Sequence, residues 1–231
     1  MSDADRAARL KRYFEFMKSH PELFTTPEGG VRILFDPTEI ATVERAIARN
    51  LEARMLPPEG ADVGVMLCDP WFYVVRDAVE FPDGSRRTHA RVINRTGNGS
   101  AVLPVLRGKI VLVRHFRHAL RRSLLEIPRG GIEPGSSPED TAHTEIREEI
   151  GAQIGRLEML GFLYGKSDLF NSGVHLYFAE LETLGTPQIG EGIASISQFT
   201  VTEFEDMMRR GEILDSFTVA AYARAKLYRL I

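Results

Sequence analysis

Apolar residues recur at helical spacing in two stretches near the start of the chain. One runs from residue 3 to 20 and the other from about 37 to 54. Pro57 and Pro58 interrupt any helix at that point, because each proline lacks a backbone donor and restricts the residue before it. We therefore predict a helical N-terminal extension over residues 1–60 and a second domain over 61–231.

Beyond residue 60 the pattern becomes that of short strands joined by tight turns. The turn signals Phe-Pro-Asp-Gly at 81–84 and Arg-Gly at 107–108 each predict a hairpin. Strands are predicted over 71–75, 89–93, 101–106, 109–113, 161–164 and 174–181. Two further helices are predicted over about 202–211, with Thr202 and Glu205 as a capping box, and over 216–228. Strands around one central helix, with more helices at the end, favour an α+β sandwich.

The central helix has clear start and stop signals. Ser137 is a natural N-cap, Pro138 suits the first helical position, and Asp140 completes a capping box. Gly151 supplies a left-handed stop. These signals predict a helix over residues 138–150.

Three carboxylates share one side of this predicted helix. At about 100° per residue, Glu145, Glu148 and Glu149 fall within an arc of roughly 100°, and Arg147 points to the opposite side. Like charges at this spacing destabilise a helix by roughly 0.2–0.5 kcal/mol per pair, unless a hard divalent cation binds them. Oxygen ligands alone suit Mg²⁺ or Mn²⁺. The alternative interpretation is a solvated acidic face.

A glycine-rich loop before the helix favours the metal interpretation. Gly130, Gly131 and Gly135 let the backbone approach a phosphate or a metal closely, and Pro128 fixes the entry to the loop. A helix with a bare acidic face needs no such loop.

Charge and cysteine content exclude several classes of function. The formal net charge of −3 gives no general attraction for nucleic acid or for an anionic membrane, so neither is an expected partner. Cys68 is the only cysteine, so one chain builds no site of two thiolates, and a reducing compartment is indicated. The charged N-terminus lacks the apolar core of a signal peptide, which predicts a cytoplasmic location.

A local basic run lies just before the predicted metal helix. Between residues 107 and 129 there are seven arginine or lysine side chains against a single acid, Glu126. Arginines bind phosphate oxygens in a bidentate fashion, so we expect Arg117, and Arg114 as a further candidate, to bind a pyrophosphate. The alternative is that most of these charges are solvated. His115 and His118 are interpreted as surface histidines.

These residues resemble a known family. Gly130, followed by Glu145, Ile146, Glu148, Glu149 and Gly151, is similar to the Nudix box, which reads glycine, five residues, glutamate, seven residues, Arg-Glu-aliphatic-x-Glu-Glu-x-Gly. The preceding Glu126-Ile127-Pro128-x-Gly130, with Arg117 upstream, is similar to the ADP-ribose and ADP-sugar pyrophosphatase branch. The resemblance spans about residues 71 to 230.

The resemblance implies an α/β/α Nudix sandwich with a mixed sheet over 61–231. It also implies Mg²⁺-dependent hydrolysis of the pyrophosphate of a nucleoside diphosphate derivative, with ADP-ribose or another nucleotide sugar foremost. By the same resemblance the metal ligands are Glu145, Glu148, Glu149 and the carbonyl of Arg129, and Glu191 is the candidate general base. Trp71 is a candidate for stacking on adenine, and a homodimer is expected.

Two positions depart from the family pattern. Ser136 replaces the box glutamate, and Thr144 replaces the arginine that braces the acidic face. These departures leave open an alternative, a catalytically weakened Nudix fold that binds a nucleotide or regulates a partner. An acid–base isomerase is disfavoured, because Cys68 lies far upstream of the box.

Overall fold

The computed structural model describes residues 3–186 and 192–231, which form two compact units. The first unit comprises Met1–Arg95 together with Asp168–Asn171, and the second comprises Thr96–Ser167 together with Ser172–Ile231. In the described part of the chain, no helix has the length and apolar character that crossing a membrane requires.

The described residues of the first unit form two α-helices and a four-stranded antiparallel sheet. Strand β3 lies inside the sheet, with β4 along one side and both β1 and β2 along the other. Both helices predicted from apolar periodicity are confirmed, and so is the hairpin around 81–84, where Gly84 has a φ of +79°. The elements are α1 (Asp3–Ser19), β1 (Arg32–Ile33), α2 (Pro37–Ala53), β2 (Gly64–Cys68), β3 (Phe72–Glu80) and β4 (Arg86–Asn94).

One hydrophobic core unites the helices and strands of this unit. Leu10 and Tyr13 of α1 and Ile40 of α2 are buried against Val75 and Ala78 of β3. Contacts therefore group strands β2 to β4 with the N-terminal helices. The domain division at residue 60 stays a prediction. The boundary between the two compact units lies after Arg95, because β2 to β4 pack with the helices that precede them.

Where the structure describes it, the second unit has a seven-stranded sheet and three α-helices. Its hairpin at 107–108 is confirmed: Arg107 and Gly108 both have positive φ, of 49° and 75°, as a two-residue hairpin turn with the twist of a sheet requires. The elements are β5 (Gly99–Leu106), β6 (Lys109–Arg117), β7 (Arg122–Glu126), β8 (Arg129–Gly131), α3 (Pro138–Ile150), β9 (Gln153–Leu163), β10 (Val174–Thr183), β11 (Ile193–Thr200), α4 (Val201–Arg209) and α5 (Ser216–Leu227).

Helices cover both faces of this sheet. The strand order is β11–β6–β5–β10–β9, and β5 with β10 is a parallel pair among antiparallel ones. Alternate residues of β6 point to opposite faces: Ile110 and Leu112 belong to the core on the α4 and α5 side, and Val111 and Val113 to the core on the α3 side. This arrangement is the α/β/α sandwich with a mixed sheet, so the expected fold is confirmed.

Strands β5 and β6 separate from each other close to α3. They pair only next to their turn, at Val105 with Ile110 and at Leu106 with Lys109. Farther along, β7 pairs with β6 and β8 pairs with β5. The short connection from β7 to β8 crosses between them, and the Pro128 carbonyl accepts a hydrogen bond from the Val102 amide. The end of β7 and the start of β8 are thereby placed beside α3.

Two sequence-based boundaries are wrong. The capping box of α4 is formed by Thr200 and Glu203, because β11 runs directly into the helix and ends at Thr200. The predicted box residue Glu205 instead accepts a hydrogen bond from the Tyr222 hydroxyl at 2.5 Å. The strand predicted over 161–164 is the last part of β9, which begins at Gln153.

A buried threonine joins α5 to the segment between β7 and β8. The Thr218 hydroxyl donates to Asp215 at 2.8 Å and accepts from the Ile127 amide at 3.0 Å, and Thr218 is fully buried. We expect Thr218→Val to lower the free energy of unfolding by about 1–3 kcal/mol, since it leaves a buried amide without a partner. Urea titration measures the loss. Thr218→Ser keeps the hydroxyl, and an equal loss in that variant would contradict this account.

Candidate active site

Helix α3 begins and ends where its local signals predict. The Ser137 side chain accepts a hydrogen bond from the Asp140 amide at 3.0 Å, and the Asp140 carboxylate accepts from the Ser137 amide at 3.1 Å. Gly151 ends the helix with a φ of +61°. The helix therefore spans Pro138–Ile150 as predicted, and its turns fix the directions of the three glutamates.

The three glutamates of α3 have different surroundings. Glu149 is buried, with 3% of its surface exposed. The Glu145 carboxylate lies against Gly130, at the place that a Cβ on that residue would occupy. Glu148 is more exposed, and its carboxylate lies 3.7 Å from the guanidinium of Arg147. Although Arg147 leaves the helix on the side away from the acids, its long side chain reaches back to one of them.

Strand β6 carries two basic side chains to the face of the sheet that α3 covers. His115 and Arg117 have the same parity as Val113, which packs under α3. Glu126 of β7 pairs with Val113 in the sheet, so it lies on that face as well. The imidazole Nδ1 of His115 is 3.4 Å from Glu126 and 3.9 Å from Glu149. Strand pairing thus brings a fourth carboxylate and a histidine to the helix glutamates.

Glu126 is fully buried and lies among cations. Arg117 donates a hydrogen bond to it, and the Arg129 guanidinium lies 3.6 Å from its second oxygen. Arg129 also lies 3.3 Å from Asp215, the N-cap residue of α5. A buried carboxylate needs such partners, because an unpaired charge in the interior is strongly destabilising.

Burial and neighbouring charges disfavour the ionised form of Glu149. Desolvation, and then the nearby charges of Glu145 and Glu126, raise its pKa to about 8, although Arg117 and the backbone amide of Arg129 favour the carboxylate. In the described part of the chain, Oε2 of Glu149 and Oε2 of Glu126 are buried without a hydrogen-bond partner. A cluster of buried carboxylates in which two oxygens accept no hydrogen bond is suited to a bound cation.

The donor set fits a hard divalent cation. Carboxylate oxygens are the ligands that Mg²⁺ and Mn²⁺ prefer. Within residues 3–186 and 192–231, however, no three histidine, cysteine, aspartate or glutamate side chains are close enough together to hold a metal as they stand. Glu148 forms an ion pair with Arg147. A site built from three carboxylates would require the Glu148 side chain to rotate toward Glu145 and Glu149.

Several of the other predicted site residues do not lie at this carboxylate cluster. Arg114 has the parity of Leu112, so it lies on the opposite face of the sheet from α3, and its contact with a pyrophosphate stays a prediction that this placement disfavours. Gly131 is exposed, with no atom within 4 Å of an added Cβ. Trp71 belongs to the first unit and is exposed. Glu191 lies outside the described residues.

Sequence reasoning missed two members of this cluster. The sequence favours a surface position for His115, and Glu126 enters only as part of a motif and as the one acid of a basic run. The alternation of β6 was the available signal, since Val111, Val113, His115 and Arg117 share one face of the strand. That alternation also separates Arg114 from Arg117. The burial of Glu126 had no comparable local signal.

Comparison with known proteins identifies the family. The NUDIX domain model matches residues 96–217. An ADP-ribose pyrophosphatase of Bacillus subtilis (strain 168) is 37% identical over 103 residues, which cover 44% of this chain and 55% of that protein. An ADP-ribose pyrophosphatase of Mycobacterium tuberculosis (strain ATCC 25618 / H37Rv) is 30% identical over 153 residues, covering 64% and 73%. A solved crystal structure of an ADP compounds hydrolase shares the fold, with a TM-score of 0.62, 20% identity, and coverage of 71% of this chain and 89% of that chain.

The chain belongs to the Nudix family, whose domain model matches more than half of its residues. Within that family the expected branch, similar to ADP-ribose pyrophosphatases, is confirmed by these relatives. The match spans about half the length of the Bacillus subtilis relative. Nudix hydrolases generally use divalent metals, in agreement with the oxygen-rich site.

Proposed function

We propose that this protein hydrolyses the pyrophosphate bond of a nucleoside diphosphate derivative in the presence of Mg²⁺, with Mn²⁺ as a substitute. The observation that carries the proposal is the buried Glu149 beside Glu126 and Glu145. Among the described residues, Oε2 of Glu149 and Oε2 of Glu126 accept no hydrogen bond. Such a cluster is unfavourable by itself and becomes favourable when it holds a cation.

Glu145, Glu148 and Glu149, with the backbone carbonyl of Arg129, would hold the ion. When bound, the metal supplies positive charge that stabilises a developing phosphate charge and acidifies water. The chain contributes the rigid placement of these ligands, since α3 is capped at both ends and its buried face packs on the sheet. Glu191 is proposed to take the proton of the attacking water.

Arg117 is proposed to bind a phosphate oxygen. Its pairing with the buried Glu126 fixes the position of the guanidinium at the edge of the carboxylate cluster. A side chain that is already oriented loses less conformational entropy on binding a ligand. Gly130 and Gly131 are proposed to let the backbone approach the phosphates, and Trp71 is proposed to stack on the base.

ADP-ribose is the proposed substrate, or failing that another ADP-linked or nucleotide sugar. The two relatives named as ADP-ribose pyrophosphatases support this choice, at 37% and 30% identity. A homodimer and a cytoplasmic location complete the proposal.

A substrate panel tests the proposed reaction. Nucleoside diphosphate derivatives are incubated with the full chain and Mg²⁺, and products are scored by mass. We expect a nucleoside monophosphate and a sugar phosphate, with ADP-ribose giving AMP and ribose 5-phosphate, and no product when EDTA is present. If ligands raise the melting temperature while no compound is cleaved, the chain is instead a nucleotide-binding module, in keeping with Ser136 and Thr144.

A further inference from the structure

His115 lies between two buried carboxylates. Its Nδ1 atom is 3.4 Å from Oε1 of Glu126 and 3.9 Å from Oε1 of Glu149, and its side chain is 12% exposed. His115 is not a member of the Nudix box or of the other sequence motifs described above.

The two carboxylates are not equally supported. Glu126 has the guanidinium groups of Arg117 and Arg129 within ion-pair distance. Glu149 is supported by the charge of Arg117 and by the backbone amide of Arg129, and is repelled by both Glu145 and Glu126. At 3.4 Å from Glu126 and 3.9 Å from Glu149, the Nδ1–H group acts as a nearby dipole rather than as a hydrogen-bond donor to Glu149. It reduces that repulsion and favours an orientation of the Glu149 carboxylate toward the imidazole.

The opposite edge of the imidazole ring is also confined. A Cβ added to Gly192 would lie 3.8 Å from both Cδ2 and Nε2 of His115. The Gly192 carbonyl accepts a hydrogen bond from the Phe116 amide at 3.0 Å, so the backbone of β6 holds Gly192 beside the ring. The ring therefore has a fixed position, with Nδ1 toward the carboxylates.

We propose that His115 is a positioning residue, which directs the Glu149 carboxylate toward the divalent cation by placing its Nδ1–H between Glu149 and Glu126. The inference rests on the proposed function, because it assigns Glu149 to the metal. Residues that orient metal ligands in this way typically contribute about 10- to 100-fold to metal affinity.

The test compares three substitutions at this one position. His115→Asn places an amide where Nδ1 stands, His115→Gln places it one bond farther out, and His115→Leu removes the donor. Mn²⁺ binding to the full chain is measured without substrate, from the electron paramagnetic resonance signal of the free ion. We expect the Leu and Gln variants to raise the dissociation constant about 10- to 100-fold. The Asn variant should restore most of the wild-type affinity.

Kinetics supply a second measurement. If His115 acts through a metal ligand, saturating Mg²⁺ should return kcat of the Leu variant to near the wild-type value, with KM for the nucleotide unchanged. Equal Mn²⁺ affinity in the wild type and all three variants would overturn the inference. It would also be overturned if Gln restored binding as well as Asn.

Failure of the proposed function gives a different result. If wild-type protein does not bind Mn²⁺, or if Glu149→Gln binds it as tightly as wild type, the metal assignment itself is wrong, and the role of His115 falls with it. Thermal unfolding of each variant is recorded alongside. Because Asn and Gln are similar in polarity, their comparison decides the question even if the Leu variant does not fold.

Discussion

Replacing Glu148 by glutamine is expected to lower kcat at least about 100-fold and to leave the fold intact. A metal ion supplies several kcal/mol of charge stabilisation in the transition state, and each about 1.4 kcal/mol corresponds to a tenfold change in rate. A neutral amide weakens the binding of that ion. The partner that Glu148 loses is Arg147, and their exposed ion pair contributes only about 0–1 kcal/mol to stability. Turnover at saturating substrate, with Mg²⁺ varied, measures the effect.

The matched control is Glu139→Gln. Glu139 lies on the same helix nine positions earlier, which places it about 180° around the axis from Glu148. The Glu139→Gln variant makes the same chemical change on the side of the helix opposite Glu148. The activity of this variant should stay close to that of the wild type. Unchanged turnover in Glu148→Gln would remove Glu148 from the metal site.

Gly130→Ala is expected to lower kcat/KM about 100-fold, through the displacement of Glu145. The added methyl group would occupy the place where the Glu145 carboxylate now lies. The carboxylate is the far end of a flexible side chain, so it moves aside and the fold is retained. A displacement of about 1 Å at a catalytic group is enough for a loss of this size. Steady-state kinetics and Mn²⁺ affinity, measured together, check the prediction.

Two further variants isolate the cause of this loss. The double variant Gly130→Ala with Glu145→Asp shortens the acid by one methylene, which makes room for the new methyl, so its activity should exceed that of Gly130→Ala alone. Gly155→Ala on strand β9 is the control, because the Cβ added there would likewise lie 3.0 Å from a glutamate side chain, that of Glu182 on β10. Full activity in Gly130→Ala would show that the position of Glu145 does not matter.

Tight turns and helix caps were predictable because the groups that form them are neighbours in sequence. Ser137, Asp140 and Gly151 bound α3 as expected, and Arg107 with Gly108 forms the expected hairpin turn. The same reasoning misplaced the box of α4 by two residues. Thr202 and Glu205 have the same spacing as Thr200 and Glu203, and the end of β11 decided between the two pairs.

The sequence by itself determined the central helix and the side of it that carries Glu145, Glu148 and Glu149, because the helical period fixes both. It also determined the family, whose box residues are contiguous in the chain. Only the tertiary structure decided that Glu126 is buried beside Glu149 and that His115 stands between them. It likewise placed Arg117 on the face that α3 covers and Arg114 on the other. The positions of these side chains depend on which strands pair and on where β5 and β6 separate. The sequence alone did not determine them, because strand pairing joins residues that are distant in sequence.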